Sequence, residues 1–392
     1  MSDAYDVVIV GGGVIGSAIA YFLAVEPGFD GSVAVIERDP RYEKCATTRS
    51  WGGIRQQFST PENIRMSAFG AHFVKTAPES LAVDGNVPDL AFRERGYLFL
   101  ASVAAWPVLE ANCRLQSELG AMTQLLDAAQ LSKRFPWLNT EGLAGAGFGP
   151  QNEGWLDPYA LLHGFRRKAR ASGVVYRQAE VVGFEKADGH VAGVKLNDGE
   201  NIDCGVVVNA AGPHAGTLAM LAGAALPVYS RKRMTFIFDC RTDLSMAPLT
   251  IDVSGVAFRP EGKQYLAIVS PPPGQDPDSD DLELDYTLFE DVIWPHLAQR
   301  VPAFEAIKLT GAWAGHYDYN TLDQNAILGF HPFIKGLVFC NGFSGHGVQQ
   351  APAAGRAIAE LIAYGEFRSL DLSRLGYERI LTNQTLKEVN VV

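Results

Sequence analysis

Val7-Val8-Ile9-Val10-Gly11-Gly12-Gly13-Val14-Ile15-Gly16 reads as a strand, a glycine turn and the opening of a helix. The continuous β-branched run is the pattern of a strand buried on both faces in a parallel sheet. Ser17 to Ala24 then supplies small and apolar residues for a helix. Gly11, Gly13 and Gly16 fit G-x-G-x-x-G: the first permits the tight turn, the second lets backbone approach a pyrophosphate, and the third lets helix and strand pack closely. Gly11, Gly13, Val14, Ile15 and Gly16 therefore form a phosphate cradle, with the unpaired N–H groups and positive dipole of the helix start aimed at the anion. A second strand, Val33-Ala34-Val35-Ile36, ends in Glu37, 21 positions beyond Gly16. That is where a carboxylate meets a ribose diol. Together these features imply dinucleotide binding.

The rest of the chain chooses between dinucleotides. Val206-Val207-Val208-Asn209-Ala210-Ala211-Gly212-Pro213 repeats the buried strand followed by glycine, and so does Leu337-Val338-Phe339-Cys340-Asn341-Gly342-Phe343-Ser344-Gly345-His346-Gly347. Arg49 to Phe58 is a loop rich in Gly and Arg that follows the second strand. A plain NAD dehydrogenase would continue with alternating helix and strand. Three junctions spread over the sequence imply one long cofactor touched at several places.

Composition narrows the classes. The 392 residues correspond to about two or three domains. Asp plus Glu number 44 against 33 Lys plus Arg, a net charge of −11. No stretch concentrates enough basic residues to hold a polyphosphate backbone, so nucleic acid is not an expected partner. The five cysteines have no zinc-ligand spacing, which implies reduced thiols and no metal site. Neither a signal or transit peptide nor an apolar run of transmembrane length is visible, and a cytoplasmic protein without a transmembrane segment is the expectation.

With those features in place the sequence resembles the FAD-dependent sarcosine oxidase and D-amino acid oxidase (DAO) family over nearly its whole length. The resemblance rests on Gly11 to Gly16 with Glu37, Thr47 to Arg55, Gly96-Tyr97-Leu98-Phe99, Val208 to Pro213 and Gly342 to Gly347. Gly311 to Thr321 and Asp323-Gln324-Asn325 are most similar to the branch of FAD-dependent oxidoreductase domain-containing proteins. The resemblance implies an α/β (α+β overall) fold: a Rossmann-like FAD-binding domain of the glutathione-reductase type with an inserted antiparallel-sheet substrate domain. The FAD-binding domain is expected over residues 1–84, 145–218 and 322–392, and the substrate domain over 85–144 and 219–321.

It also implies roles for individual residues. Glu37 would hold the adenosine ribose, with Arg38 beside it. Thr47, Thr48, Arg49 and Ser50 would line the pyrophosphate and flavin, and the Val181 backbone would meet the adenine. Ala210, Ala211 and Gly212 would touch the cofactor at the second junction. Gly342, Phe343, Ser344, Gly345, His346, Gly347, Val348 and Gln349 would run under the flavin, with the following helix directing its N-terminus at the flavin and Pro352 in its first turn. Arg55 matches the arginine that holds a substrate carboxylate, a task suited to a guanidinium fork. Tyr317 stands at a position beside the substrate, or is a buried tyrosine bonded to backbone. Gln349 and His346 complete the candidate catalytic set, His346 as a hydrogen-bonding rather than a proton-moving group, while His316 is either an active-site neighbour or a core residue.

Three departures qualify the resemblance. Gly315-His316-Tyr317 contains no cysteine to tether a flavin and Trp51 stands where some relatives have histidine, so FAD is expected to be noncovalent. Gln349 replaces the lysine that partners the carboxylate-binding arginine. No oxygen-activating lysine is identifiable, Lys263 lying in a hairpin turn. The implied activity is oxidation of the C–N bond of a small amino acid or of a secondary or N-methyl amine by hydride transfer to FAD N5. The imine then hydrolyses, and oxygen or an electron-transfer acceptor takes the electrons. The alternative is an assembly or scaffold protein in which FAD is mainly structural.

Overall fold

The computed structural model describes residues 3–187, 189–272 and 274–389. Asp3–Val10 lies inside an eight-stranded sheet whose order is Ile327–Phe330, Leu337–Asn341, Asn201–Asn209, Asp3–Val10, Val33–Glu37 and Val175–Gln178. The middle four of these pair in parallel, as does Val33–Glu37 with Val175–Gln178. The hairpin of Val181–Ala187 and His190–Leu196 joins antiparallel to Asn201–Asn209. Alternation explains the β-branched runs. Val7, Ile9, Val33 and Val35 face one apolar layer with the helices Val14–Val25, Pro158–Ala171 and Gly347–Tyr364, while Val8, Val10, Ala34 and Ile36 face the hairpin and the helix Ala215–Leu221. Both faces are covered, so every position must be apolar.

Close helix contact needs small residues. A Cβ at Gly355 would lie 2.8 Å from the Cβ of Ala18, so Val14–Val25 and Gly347–Tyr364 touch nearly backbone to backbone. That contact brings the N-termini of both helices to the same side of the sheet.

A second eight-stranded sheet runs Ile307–Asn320, Val228–Cys240, Gln264–Ile268, Ala257–Glu261, Leu249–Ile251, Tyr97–Ser102, Leu143–Gly149 and Gln124–Asp127. Phe236, Phe238, Phe258 and Phe304 fill its core. The expected antiparallel sheet is antiparallel with one exception, the parallel pair of Leu249–Ile251 and Tyr97–Ser102. Two expected domain boundaries fall inside elements. The cut at 144/145 crosses Leu143–Gly149, which pairs along its length with Tyr97–Ser102, and the cut at 218/219 crosses the helix Ala215–Leu221. Divided by sheet membership, we place the first of these boundaries after Gly149.

One further reading changes. Pro352 sits in the second turn of its helix rather than the first. Asp323-Gln324-Asn325 is a structural motif: the buried Asp323 carboxylate takes the Arg379 Nε–H at 2.8 Å, and the Asn325 carbonyl accepts from Arg379 Nη2. The turn itself needs the left-handed backbone of Gln324, at φ +61°.

Candidate active site

The three glycine junctions converge on one cavity of about 500 Å³. Gly11, Gly13, Val14 and Ile15 line it from the first junction, Ala210, Ala211 and Gly212 from the second, and Phe343, Gly345, Gly347 and Val348 from the third. The first two junctions meet at Gly11, whose φ of +101° favours glycine and where a Cβ would lie 2.4 Å from the Ala210 carbonyl oxygen. Gly16 lies behind the wall and serves packing, since a Cβ there would come within 1.9 Å of the Gly11 oxygen. Gly13 differs. A Cβ at Gly13 would make only ordinary 3.5 Å contacts with Cys45 Sγ and Thr47 Oγ1. Its missing side chain therefore leaves space on the cavity wall, as a pyrophosphate cradle requires.

Neither helix that opens onto the cavity is capped by the side chain of its own N-cap residue, Gly13 or His346. At the first, Thr47 Oγ1 accepts the Val14 N–H at 3.1 Å. The remaining first-turn N–H groups and both dipoles are available to an anionic or electron-rich ligand. At the far end Glu37 accepts from the Gly12 and Asp39 N–H groups, each at 2.7 Å. Burial pushes this carboxyl up, against the lowering effect of those two bonds. Arg38 forms a half-exposed pair with Glu180 at 3.5 Å, and Ala179 and Val181 continue the wall beside them. Ser50 and Thr47 also line the cavity.

Other expected cofactor residues do not reach it. Thr48 donates to the Tyr42 and Cys45 carbonyls, and Arg49 donates to those of Glu43 and Ala314, so both hold the loop in shape. Gly342 and Ser344 shape the third junction, where Ser344 Oγ accepts the Asn320 N–H. Arg55, His346 and Gln349 lie beyond the wall. Lys44, Cys45, His214, Thr217 and Asp318 line the cavity without having been singled out in the sequence. Asp318 is half-buried, its carboxyl pushed up to about 6 by desolvation, and it accepts the Phe343 N–H at 3.1 Å.

Tyr317 connects the cavity to a second cluster. Its ring lies over Gly345, where a Cβ would approach within 2.5 Å, and its burial raises the phenol pKa. Arg55 is 3% exposed. Its Nη1 donates to the Gln57 carbonyl at 2.5 Å, its Nη2 lies 2.9 Å from His346 Nε2, and its guanidinium sits 4.1 and 5.1 Å from the Phe58 and Phe99 ring centroids. Gln349 Oε1 accepts the Arg55 backbone N–H at 2.8 Å. Burial, then the adjacent Arg55 charge, pushes His346 well below its ordinary pKa. Arginine carries donors only, so His346 Nε2 accepts at this contact. Tyr97, Trp155, Trp51 and Phe99 supply an aromatic wall. Below lies Glu153, a buried carboxylate that the sequence reading passed over because it stands in a short polar turn.

Comparison with known proteins agrees with this geometry. The family profile described as DAO, FAD dependent oxidoreductase, matches residues 6–361. FAD-dependent oxidoreductase domain-containing protein 1 from Bos taurus is 44% identical over 98% of this chain and 86% of its own. Sarcosine oxidase subunit beta from an Arthrobacter species is 28% identical over 98% of this chain and 93% of its own. The crystal structure of L-proline dehydrogenase from P. horikoshii superposes with a TM-score of 0.87 at 26% identity, covering 98% of this chain and all of that one. Among the described residues no helix is long and apolar enough to cross a membrane, and no group of three or more acidic, His or Cys residues is placed to hold a metal. The chain belongs to the DAO family of FAD-dependent oxidoreductases, and FAD is the cofactor its cavity serves.

Proposed function

We propose that this flavoprotein oxidises the C–N bond of a small amino acid, or of a secondary or N-methyl amine, that carries a carboxylate. The observation that carries this reading is the buried Arg55 guanidinium, within electrostatic reach of Tyr317, a residue of the cavity wall. A desolvated guanidinium selects a planar anion. Sarcosine, glycine and L-proline, which appear in the names of its relatives and structural neighbours, all place an amine one carbon from a carboxylate.

When bound, FAD supplies a hydride acceptor at the flavin N5. The protein's part is orientation. Arg55 fixes the carboxylate, Phe58, Phe99 and Tyr97 exclude water, and the uncapped start of Gly347–Tyr364 favours negative charge at its end of the cavity. His346, held neutral, keeps Arg55 in place without competing for the substrate proton. A neutral amine then needs no strong protein base. FAD is held noncovalently in this reading, and either oxygen or an electron-transfer protein takes up the electrons.

Anaerobic mixing of the holoprotein with sarcosine, glycine, proline and N-methyl amino acids is expected to bleach the visible flavin band with at least one of them. No bleaching across the panel would overturn the enzymatic reading in favour of a structural flavin. Acid precipitation is expected to leave the yellow colour in the supernatant; a yellow pellet would contradict noncovalent attachment.

A further inference from the structure

Arg55 does not stand on a rigid helix. It opens the irregular segment that follows the two-residue ladder of Gly53–Ile54 with Gly154–Trp155, so something must hold Arg55, Gln56 and Gln57 in place. Glu153 does so. Its side chain is 1% exposed, Oε1 accepts the Gln56 backbone N–H at 2.7 Å, and Oε2 accepts the Gln57 Nε2–H at 2.8 Å. Gln57 Nε2 also donates to the Tyr97 carbonyl at 3.1 Å, and the Gln57 carbonyl is the acceptor for Arg55 Nη1. The carboxylate fits here only because position 149 is glycine: a Cβ there would lie 2.0 Å from Glu153 Oε2. The Glu153 backbone carbonyl in turn accepts the Gly96 N–H at 3.0 Å, which anchors it to the strand bearing Tyr97 and Phe99.

We propose that Glu153 is a positioning residue for the Arg55 carboxylate clamp, and that the site's affinity for carboxylates depends on the charge of Glu153. This rests on the reading of Arg55 as the group that receives the substrate carboxylate. Both Glu153 oxygens are met by donors. A proton on either oxygen removes the charge that strengthens both bonds and makes the protonated oxygen a poor acceptor, so the bond it receives weakens and the segment carrying Arg55 loosens.

Of the groups packed directly against Glu153, none other changes charge near neutrality; Asp318, pushed up to about 6, stands on the cavity side of the site beside Tyr317, and Glu153→Gln separates its contribution from that of Glu153. Desolvation, only partly offset by the two donors and the Arg55 charge, pushes its carboxyl up to about 7. Tyr97, from the neighbouring strand, and Cys113, from the helix Trp106–Glu118, are both held protonated by burial. His346 is held neutral, and Tyr317 and Glu388 act on Arg55 from the other side. The sign follows directly. Above about pH 7 Glu153 is an anion that holds both donors strongly, and below it the neutral form holds one of them weakly.

The test uses FAD-loaded protein and pyrrole-2-carboxylate, methoxyacetate or acetate, none of which has an amine-bearing carbon to oxidise. Binding is read from the perturbation of the flavin absorbance between about pH 5.5 and 8.5, a window in which these carboxylates stay ionised. In the wild type the dissociation constant is expected to rise about fivefold or more as pH falls from 8 to 6. Glu153→Gln, which sets an amide donor against one of the two donors, is expected to bind weakly at every pH and to lose the dependence. Glu153→Asp is expected to keep a pH dependence. A pH-independent constant in the wild type, or an unchanged profile in Glu153→Gln with normal flavin content, would overturn the inference while leaving the Arg55 reading intact. Failure of all three carboxylates to perturb the wild-type flavin would defeat the Arg55 reading and this inference with it.

Discussion

Arg55→Met is expected to cut kcat/KM by about 30-fold to several-thousand-fold, the consequence of losing about 2–5 kcal/mol from a buried charge-assisted contact. The loss should fall mainly on KM, because a carboxylate held away from the reacting carbon is bound alike before and during the reaction. Methionine fills most of the arginine volume, so packing against Phe58 and Phe99 should survive. Flavin content should be unchanged, since Arg55 lies outside the cofactor cavity. Arg55→Lys keeps the charge but not the fork that spans Gln57 and His346, and should recover only part of the affinity. Steady-state kinetics with the best amine of the panel, alongside the ratio of flavin to protein absorbance, checks all of this. An unchanged KM in Arg55→Met would remove the arginine from substrate binding.

Two glycines of one turn are expected to fail in different ways. At Gly16 a side chain meets main chain, 1.9 Å from the Gly11 oxygen and 3.1 Å from its carbonyl carbon, with Ile9 Cγ2 at 3.2 Å. Backbone does not move aside cheaply, so Gly16→Val should cost about 3 kcal/mol or more and leave little folded protein. Gly13→Ala meets only Cys45 Sγ and Thr47 Oγ1 at 3.5 Å. Its cost to the apoprotein should stay within about 1 kcal/mol, the scale of a helix-cap change. FAD affinity should nevertheless fall by about tenfold or more, because the added methyl occupies the approach of the pyrophosphate. Thermal melts of the apoproteins and fluorescence titration with FAD separate the two. Equal melting losses in both variants would contradict the assignment of Gly13 to the cofactor and Gly16 to packing.

The parts legible in the sequence were those whose chemistry is local. A β-branched run ending in glycine encodes buried strand, turn and uncapped helix within about 15 residues, so three such junctions sufficed to place the cofactor cavity. Glu37 was legible because its spacing from Gly16 is set by one strand, one helix and a short return. Thr48 and Arg49 were not, because neighbours in a turn point in different directions and only contacts with Tyr42 and Ala314 show which. Glu153 left no signal at all. In Gln151-Asn152-Glu153-Gly154 it resembles a solvated turn, and its burial depends on Gly149 and on Gln56 and Gln57, nearly a hundred residues earlier. The cut expected at 144/145 falls inside a strand for a similar reason. Leu143–Gly149 is rich in small residues and shows no clear alternation, so pairing with Tyr97–Ser102, not its own composition, decides its sheet.

A crystal structure of the FAD-loaded protein with pyrrole-2-carboxylate tests most directly whether amine oxidation takes place beside Arg55. The expected result is the carboxylate within hydrogen-bonding distance of the Arg55 guanidinium and the ring against the flavin face beside Tyr317. A ligand lodged elsewhere, with Arg55 out of reach of its carboxylate, would contradict it.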